Sequence, residues 1–394
     1  MIIQKSKWKN SCDSAVMFMI DDLANKYIKL DESNIVKLGC DWGAKTYEEN
    51  SFYYTLNKDI MKKFPYLKIT MFLVVGRREP IINNGHKFYS EDIDANEQIR
   101  DFIKDISNNP MIELAYHGYT HGKGSDDIYK FKEEWETFNT LEEALDTIEK
   151  GKNLYKNVAN KEFIGGKYCG YKYNEISDKS IAQSGFLWWC RHWEGELFFN
   201  TSNEELSFEL EEFDGVIDIP STIDGSFYTV KNLRKVFTKK YLKSILLFLK
   251  DRITIEKQID YLVKNHLLIS IQEHTAPYRV DDRIQYPNII SDKENIIYIL
   301  NYLKKYNLWY ATGTEIASYY KAYKYSNIIL EENKIKIECD PEVSGIELTI
   351  EILGINKEIT LRSGDETIKS IRKDNNTQIA NIVLYNDKVY ELII

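Results

Sequence analysis

The stretch Ala15-Val-Met-Phe-Met-Ile20, followed directly by Asp21-Asp22, decides the fold that this sequence predicts. An uninterrupted apolar run of this length predicts a buried strand, and the two carboxylates mark the end of that strand. Similar short apolar runs recur along the chain as far as Thr312. The predicted strands are Val16–Ile20, Lys68–Val75, Ile112–Tyr116, Phe163–Tyr168, Phe186–Cys190, Val216–Ile219, Leu267–Gln272 and Leu308–Thr312.

Amphipathic segments separate several of these strands and predict helices. Thr140 and Glu143 form a capping-box pattern at the start of a helix that runs toward Val158. Repeated alternation of strands and helices predicts parallel strands in an α/β barrel or a doubly wound sheet. The number of strands favours a distorted or incomplete (β/α) barrel over residues 1–322. Further helical patterns cover Asn174–Ser184, Thr254–His266 and Asp292–Tyr306.

The pattern changes after Lys324. The remaining segments are short and β-branched, and Asn, Asp, Gly and Lys separate them without a helical period. This pattern predicts a small antiparallel β-sandwich domain over residues 323–394. The domain shows no aromatic platform, so it either has a packing role or binds a glycan or a partner subunit. Its predicted strands are Ile335–Glu338, Ile346–Ile352, Glu358–Arg362, Thr367–Arg372, Gln378–Leu384 and Val389–Ile394.

Composition argues against several classes of protein. Apolar residues make up 43% of the 394 residues, which predicts a sizeable core and not a disordered chain. The formal net charge of −9, without a basic stripe, argues against a nucleic-acid partner. The five cysteines form no CxxC pair, so reduced thiols are expected. No apolar run approaches the roughly 18 residues of a membrane span or forms a secretory signal, and we expect a soluble cytoplasmic protein.

Two motifs at strand ends carry candidate ligands, because the carboxyl ends of parallel strands face the active site of a barrel. Asp21 and Asp22 are adjacent carboxylates, which repel each other unless a cation or a proton offsets them. His117 and His121 follow a strand, and imidazoles four residues apart can bind one metal ion. Taken separately, the carboxylates also fit a solvated turn, and the histidines fit a core or surface role.

Two further strand ends carry charged or titratable groups. The segment Gly165-Gly-Lys167-Tyr-Cys-Gly170-Tyr171 combines a cation with glycines that permit close approach of a ligand. His274 ends the apolar run that begins at Leu267. On their own, the first is also an ordinary glycine-rich turn and the second a structural histidine. Jointly, the four strand ends predict a site of two imidazoles and one carboxylate, with positions left for water and substrate.

These motifs resemble those of the polysaccharide deacetylases that share the NodB homology domain, carbohydrate esterase family 4, over roughly residues 14 to 315. Asp21-Asp22 is similar to the Asp-Asp motif of that family. His117-Gly-Tyr-Thr-His121 is similar to its His-(Ser/Thr)-x-x-His motif, with Gly118 in place of Ser or Thr. Ile271-Gln-Glu-His274 is similar to its Leu-x-x-His motif.

The resemblance implies a distorted (β/α) barrel and a role for each motif residue. Asp22, His117 and His121 would bind a divalent metal, zinc in the first place, with cobalt, nickel or manganese as alternatives. Asp21 would be the general base and His274 the general acid. The implied reaction removes an acetyl group from an N-acetylated sugar or a glycan precursor, so the partner is a carbohydrate or sugar-conjugate substrate.

The sequence departs from the family pattern at three further places. Leu23 stands where Gly is usual, and Lys167 is the candidate for a position that is usually Arg. Lysine keeps the charge that offsets Asp21 but loses the bidentate fork of arginine. The stretch Trp188–Trp193 contains no carboxylate that would orient His274. We predict a divergent member of the family.

Several residues are candidates for contact with the substrate. A backbone N–H of Gly170 or Tyr171 would stabilise the oxyanion. The rings of Tyr171 and Trp189 would stack on sugar. Neighbours on a strand point to opposite faces, so at most one of Trp188 and Trp189 would meet the substrate, and both also fit a core role.

Two other readings of the site remain open. In the first, the chain is a non-catalytic glycan-binding protein on a decayed deacetylase barrel. In the second, it is a metal-dependent hydrolase of a non-sugar C–N bond. His86 and His192 are weaker candidates for extra ligands. Asp41, Trp42 and Tyr47 fit a surface loop better than a pocket wall.

Overall fold

The structure is a computed structural model that describes residues 1–28, 51–81, 88–193, 208–225, 246, 255–275 and 285–394. Within these ranges ten strands form one mixed sheet, and all of its pairs are parallel except the pair at one edge. The predicted α/β class with parallel strands is confirmed. From edge to edge the strands are Glu211–Phe213, Val216–Asp218, Trp188–Cys190, Gly165–Lys167, Ile112–Tyr116, Ile69–Leu73, Ser14–Leu23, Ile269–His274 and Ile223–Asp224, and Leu308–Tyr310 also pairs with Ser14–Leu23.

The central strand of this sheet is Ser14–Leu23, and all of its residues are buried. Phe18 and Ile20 pack into the larger apolar cluster of the molecule. Met17 and Met19 point to the other face, into a second apolar cluster. Both faces of the strand are therefore covered, which is why its sequence is a continuous apolar run and does not alternate with polar residues.

Helices connect many of these strands and cover the sheet. The predicted helix after Thr140 is Leu141–Ala159, and the Thr140 hydroxyl accepts a hydrogen bond from Glu143 N at 3.2 Å. In the described part of the chain no helix has the length and apolar character that a bilayer crossing requires. The other helices are Phe52–Thr55 with its wider continuation Leu56–Met61, Glu97–Asn108, Glu134–Thr137, Ser177–Gln183, 255–264, Lys293–Leu303 and Gly313–Lys324.

Smaller elements complete the described part of this region. Two two-stranded sheets and three short helical turns belong to it, and a fourth turn lies among the C-terminal strands. The strand pairs are Lys26–Ile28 with Phe88–Ser90 and Gly122–Lys123 with Lys132–Glu133. The turns are Lys9–Ser11, Ile128–Lys130, Cys169–Tyr171 and Pro341–Val343.

The C-terminal residues form two antiparallel sheets around a third apolar cluster. One sheet contains Ile2–Lys5, which pairs with Glu347–Leu353 across most of the chain length. The division into domains of residues 1–322 and 323–394 stays a prediction. The strand Ile2–Lys5 comes from the first range but pairs with a strand of the second. The first sheet also contains Thr377–Val383 and Ile371–Arg372, and the other consists of Ser326–Glu331, Lys334–Cys339, Val389–Ile393, Thr360–Ser363 and Glu366–Lys369.

Candidate metal centre

Asp21 and Asp22 lie at the carboxyl end of the central strand. Its pairing with the neighbouring strand shifts register between Ile20 and Leu23, which marks a bulge at the two aspartates. Asp22 has a φ of +69°, in the left-handed region that residues with a side chain rarely adopt. Thr275 holds this turn, because its N–H donates to Asp21 O and its hydroxyl donates to Asp22 O, both at 3.1 Å.

The buried carboxylate of Glu134 shapes the loop that carries both histidines. It accepts the backbone N–H groups of Tyr119, Thr120 and His121 at 2.9, 2.7 and 2.8 Å. Burial raises the pKa of Glu134, and these three donors oppose that rise. His121 has a φ of +69°, and the bonds to Glu134 explain how the loop maintains this conformation.

The backbone conformation and the surroundings of Gly118 leave no room for a side chain. Its φ is +91°, and a Cβ at this position would lie 2.6 Å from Glu134 Oε2. A Ser or Thr side chain would therefore displace the carboxylate that organises the loop.

Two histidines of one loop lie next to a carboxylate from a distant part of the sequence. His121 Nε2 lies 3.0 Å from Asp22 Oδ1, and His117 Nε2 lies 3.8 Å from the same atom. Donor atoms that bind one tetrahedral zinc ion at about 2.0–2.2 Å are about 3.4 Å apart, so the two observed distances bracket this value. Asp22 Oδ1 is buried and accepts no hydrogen bond within the described residues.

A backbone carbonyl assigns the tautomer of His117. His117 Nδ1 lies 3.0 Å from Lys167 O, so it is the donor and its Nε2 lone pair faces Asp22. His121 Nδ1 lies 3.3 Å from Glu133 Oε2. The Nε2 lone pair of His117 and a carboxylate oxygen of Asp22 then face each other at 3.8 Å, which is unfavourable unless a cation lies between them.

Burial keeps both imidazoles neutral. It lowers the pKa of His117 to about 3 and that of His121 to about 4, with Arg78 adding to the shift at His121. Neutral imidazole is the form that binds a metal ion. The two side chains are therefore ready as ligands at neutral pH.

The second oxygen of Asp22 is saturated by donors that sequence reasoning missed. Asp22 Oδ2 accepts from Arg78 Nη2 at 3.0 Å and from Gln285 Nε2 at 3.2 Å, and Lys26 Nζ lies 3.8 Å away. Burial alone would raise the pKa of Asp22, but Arg78, Lys26 and His121 hold it well below its usual range. Asp22 is thus an ionised carboxylate with one oxygen in use and one facing the imidazoles.

Cys169 is a second candidate for the third ligand. Its thiol and the two imidazoles form a group whose ligand atoms lie within 4.8 Å of one another, and this group could hold a metal ion. Burial raises the pKa of Cys169 well above its usual value, and Sγ donates to His117 O at 3.1 Å. A thiol that coordinates a metal ion loses its proton, so Cys169 stays an alternative to Asp22. We favour Asp22 because its carboxylate is already ionised.

Asp21 faces a different set of partners from those of Asp22. Lys167 Nζ lies 2.6 Å from Asp21 Oδ2, and Gln272 Nε2 donates to the same oxygen at 3.3 Å. Tyr171 donates its hydroxyl to Ser221 Oγ at 2.8 Å and also contacts Gln272 Oε1. One lysine and one glutamine thus place two donors on one oxygen of Asp21, whereas a bidentate arginine would bind both oxygens.

His274 lies beside Asp21 at the end of the adjacent strand, in register with it. Its Nδ1 lies 2.7 Å from Pro287 O, so Nδ1 donates to this carbonyl. The partner of His274 that the sequence did not reveal is therefore a backbone carbonyl and not a carboxylate. This hydrogen bond orients the ring and leaves Nε2 available.

These groups share one cavity of about 640 Å³. His274 and the three candidate ligands all contribute to its wall. Its described lining is Asp21, Asp22, Arg78, Ile81, His117, His121, Phe131, Glu133, Gly170, Tyr171, Gln272, His274, Gln285 and Tyr286.

The prediction that Trp189 contacts substrate is wrong. Trp189 has no exposed surface and packs 5.5 Å from the Trp135 ring, while Trp188 packs 6.0 Å from Phe72 on the opposite face of the strand. The glycines before Lys167 serve this packing. A Cβ on Gly165 would lie 2.0 Å from the Trp188 indole.

The prediction that the Tyr171 N–H stabilises the oxyanion also needs correction. Its N–H donates to Tyr168 O at 3.3 Å and is thus used inside the turn. Gly170 and the Tyr171 ring line the cavity, so both remain candidates for substrate contact.

Some residues were missed, and some predictions fall outside the described residues. Nothing in the sequence around Arg78 or Glu133 indicates that these side chains reach Asp22 and His121, because only the fold brings them together. His192 is 3.7 Å from Asp218 and does not line the cavity. Asp41, Trp42, Tyr47 and His86 lie outside the described residues.

Solved structures show what the chain is similar to. A proposed polysaccharide deacetylase from Mycobacterium smegmatis is 14% identical, covers 83% of this chain and 97% of its own, and has a TM-score of 0.45. An allantoinase is 13% identical, with 81% and 94% covered and a TM-score of 0.43. A carbohydrate esterase family 4 pseudoenzyme from Bacillus anthracis is 14% identical, with 77% and 65% covered and a TM-score of 0.37.

No protein-family model and no curated protein matches the chain. Structural similarity of this degree assigns no activity. The chain is thus similar, at low sequence identity, to polysaccharide deacetylases and to carbohydrate esterase family 4.

Proposed function

We propose that the chain is a metal-dependent hydrolase that removes an acetyl group from an N-acetylated sugar or a glycan precursor. One observation carries the proposal. Asp22 Oδ1 lies 3.0 and 3.8 Å from the Nε2 atoms of His121 and His117, in the cavity that also contains Asp21 and His274. The same proposal takes the ten-stranded sheet as the wall of a distorted (β/α) barrel.

The three convergent side chains fit a divalent cation. Asp22, His117 and His121 would hold it, and two nitrogen donors with one carboxylate favour zinc. A bound divalent ion would supply a Lewis acid that polarises the amide carbonyl and lowers the pKa of water. The orphaned oxygen of Asp22 is the feature of this chain that calls for such an ion.

Asp21 takes the proton of the attacking water as general base. The Lys167 ammonium offsets the charge of Asp21 in a site where both side chains are almost fully buried. Gln272 directs a second donor to the same oxygen. The other oxygen, Asp21 Oδ1, accepts no hydrogen bond within the described residues and is the atom that we assign to the water proton.

His274 donates a proton to the departing nitrogen as general acid. In the imidazolium form Nδ1–H stays bonded to Pro287 O, and Nε2–H is free to donate. Water adds to the carbonyl carbon and the C–N bond breaks, so that acetate and an amine form. The proton that the amine gains balances the one that Asp21 removes from water.

A non-catalytic glycan-binding protein is the second candidate. The carbonyl partner of His274 favours it, since a carbonyl stabilises an imidazolium less than a carboxylate does. The buried ion pair of Lys167 and Asp21 favours the enzyme, because a metal site without catalysis does not need this pair.

Acetate release from N-acetylated sugars tests the proposal. We compare the zinc-loaded wild-type protein with Asp21→Asn, and with Asp260→Asn as an exposed control. Asp21→Asn is expected to lower kcat by about 10²–10⁴-fold while the zinc content stays unchanged. Equal acetate release by the wild-type protein and Asp21→Asn, or no release by either, would exclude the proposed reaction.

A further inference from the structure

Arg78 is a cation in the cavity wall that the proposed reaction does not use. Its exposed fraction is only 7%. Nη2 donates to Asp22 Oδ2 at 3.0 Å, while Nε is buried and has no acceptor among the described residues. A guanidinium carries five N–H donors in a planar fork, and buried donors normally have acceptors. The free edge of this fork therefore calls for an acceptor that the described chain does not supply.

The charges around the cavity indicate the charge of that acceptor. Among the described residues, three carboxylates line the cavity, and three basic side chains line it or contact those carboxylates. The carboxylates are Asp21, Asp22 and Glu133, and the basic groups are Arg78, Lys26 and Lys167. The charges thus cancel even with Glu133 ionised, and a bound divalent ion leaves an excess of positive charge. In a partly desolvated cavity such an excess attracts an anion.

From this geometry we propose that Arg78 binds an oxyanion substituent of the substrate, a carboxylate or a phosphate. The substrate would then be an acidic N-acetylated sugar and not a neutral glycan. The sugar part of this inference rests on the proposed function, and the anion part rests on Arg78. Arginine matches both oxyanions because its parallel N–H donors bind two oxygens at once.

Binding measurements distinguish a phosphate from a carboxylate as the group that Arg78 binds. The zinc-loaded Asp21→Asn protein, in which turnover is suppressed, is titrated calorimetrically with three probes. These are N-acetylglucosamine, N-acetylglucosamine 6-phosphate and N-acetylmuramic acid, which carries a carboxylate. We expect at least one acidic sugar to bind tenfold or more tightly than the neutral sugar. The tighter of the two identifies phosphate or carboxylate as the preferred group.

Variants of Arg78 in the same background assign the preference to this residue. Arg78→Gln is expected to abolish the tenfold preference, measured as the ratio of the affinities for the acidic and the neutral sugar, because Arg78 also binds Asp22 and its loss can change both affinities. Arg78→Lys keeps the charge without the fork and is expected to retain part of the preference. Arg372→Gln, in the C-terminal sheets, is the matched control and should behave like the parent protein. The zinc content of every variant is measured, and where Arg78→Gln loses zinc, Arg78→Lys decides.

Three results would overturn the inference. They are equal or tighter binding of the neutral sugar, an equal loss for all three probes in the Arg78 variants, and no binding of any probe. The proposed function fails separately. If the wild-type protein releases no acetate but the acidic preference depends on Arg78, the deacetylase assignment is wrong and the anion site stands.

Discussion

His121 Nε2 lies 3.0 Å from Asp22 Oδ1, and both residues have a backbone φ of +69°. Each left-handed residue with a side chain costs on the order of 1–3 kcal/mol, which the surrounding structure must offset. Glu134 offsets it on the histidine side through three backbone N–H groups, and Thr275 does so on the aspartate side. Two strained backbones that aim at the same point indicate a site built for a ligand.

The buried pair of Lys167 and Asp21 predicts strong coupling between the two residues. Lys167→Met leaves Asp21 as a buried carboxylate without its cation, and the loss should be roughly 3–5 kcal/mol of the free energy of unfolding. The double variant Lys167→Met/Asp21→Asn should recover part of this loss. Urea denaturation of the wild-type protein, both single variants and the double variant measures the coupling. Additive effects of the two substitutions would show that the pair does not interact as the structure indicates.

Gly118 predicts a stability difference between two glycine positions. Gly118→Ser adds a Cβ at a φ of +91° and 2.6 Å from Glu134 Oε2, whereas Gly185→Ser meets nothing within 4 Å at a φ of +73°. Left-handed strain costs both variants about 1–2 kcal/mol. Gly118→Ser should lose clearly more than Gly185→Ser and should also bind zinc more weakly, because the loop of His121 moves. Equal stability of the two variants would mean that the Glu134 side chain moves aside without any loss of stability.

The lowered pKa of His121 predicts how the stability of the metal-free protein depends on pH. Its pKa is about 4 in the folded chain and about 6.5 as a reference, so the unfolded chain binds more protons between these values. The contribution of the neutral imidazole is complete above pH 6.5 and is lost as the pH falls toward 4. Glu133 acts in the opposite direction, because burial raises its pKa to about 8, so the difference between two proteins is the useful quantity.

The wild-type protein and His121→Gln provide that difference. As the pH falls from 6.5 to 4.5, the wild-type protein should lose stability relative to the variant by up to about 1.4 kcal/mol per pH unit. Denaturation of both metal-free proteins at several pH values measures it. A pH-independent difference would mean that His121 titrates alike in both states.

The strands of the main sheet were predictable because a strand buried on both faces is a continuous apolar run, as Ser14–Leu23 shows. The helix Glu97–Asn108 carried a usable signal, with Ile99, Phe102, Ile103 and Ile106 at helical spacing, although it was not among the predicted helices. The pairing of Ile2–Lys5 with Glu347–Leu353 was beyond such reasoning, because local pattern does not report contacts between the two ends of a chain.

The candidate site was likewise predictable from the sequence only in part. Its motif residues were recognisable from spacing at strand ends, as with His117 and His121. Arg78 was not, since neighbouring Arg77 has the same chemistry and only the fold decides which guanidinium reaches Asp22. Trp189 was misassigned because an aromatic side chain fits a core and a sugar platform equally well in sequence, and burial alone separates the two.

Metal analysis of purified wild-type protein, Asp22→Asn and Cys169→Ser tests the central claim most directly. The structure predicts about one divalent ion per chain in the wild-type protein and in Cys169→Ser, and a severe loss in Asp22→Asn. Retention by Asp22→Asn with loss in Cys169→Ser would make the thiol the third ligand. A wild-type protein that binds no divalent ion, even when zinc is offered, would contradict the account as a whole.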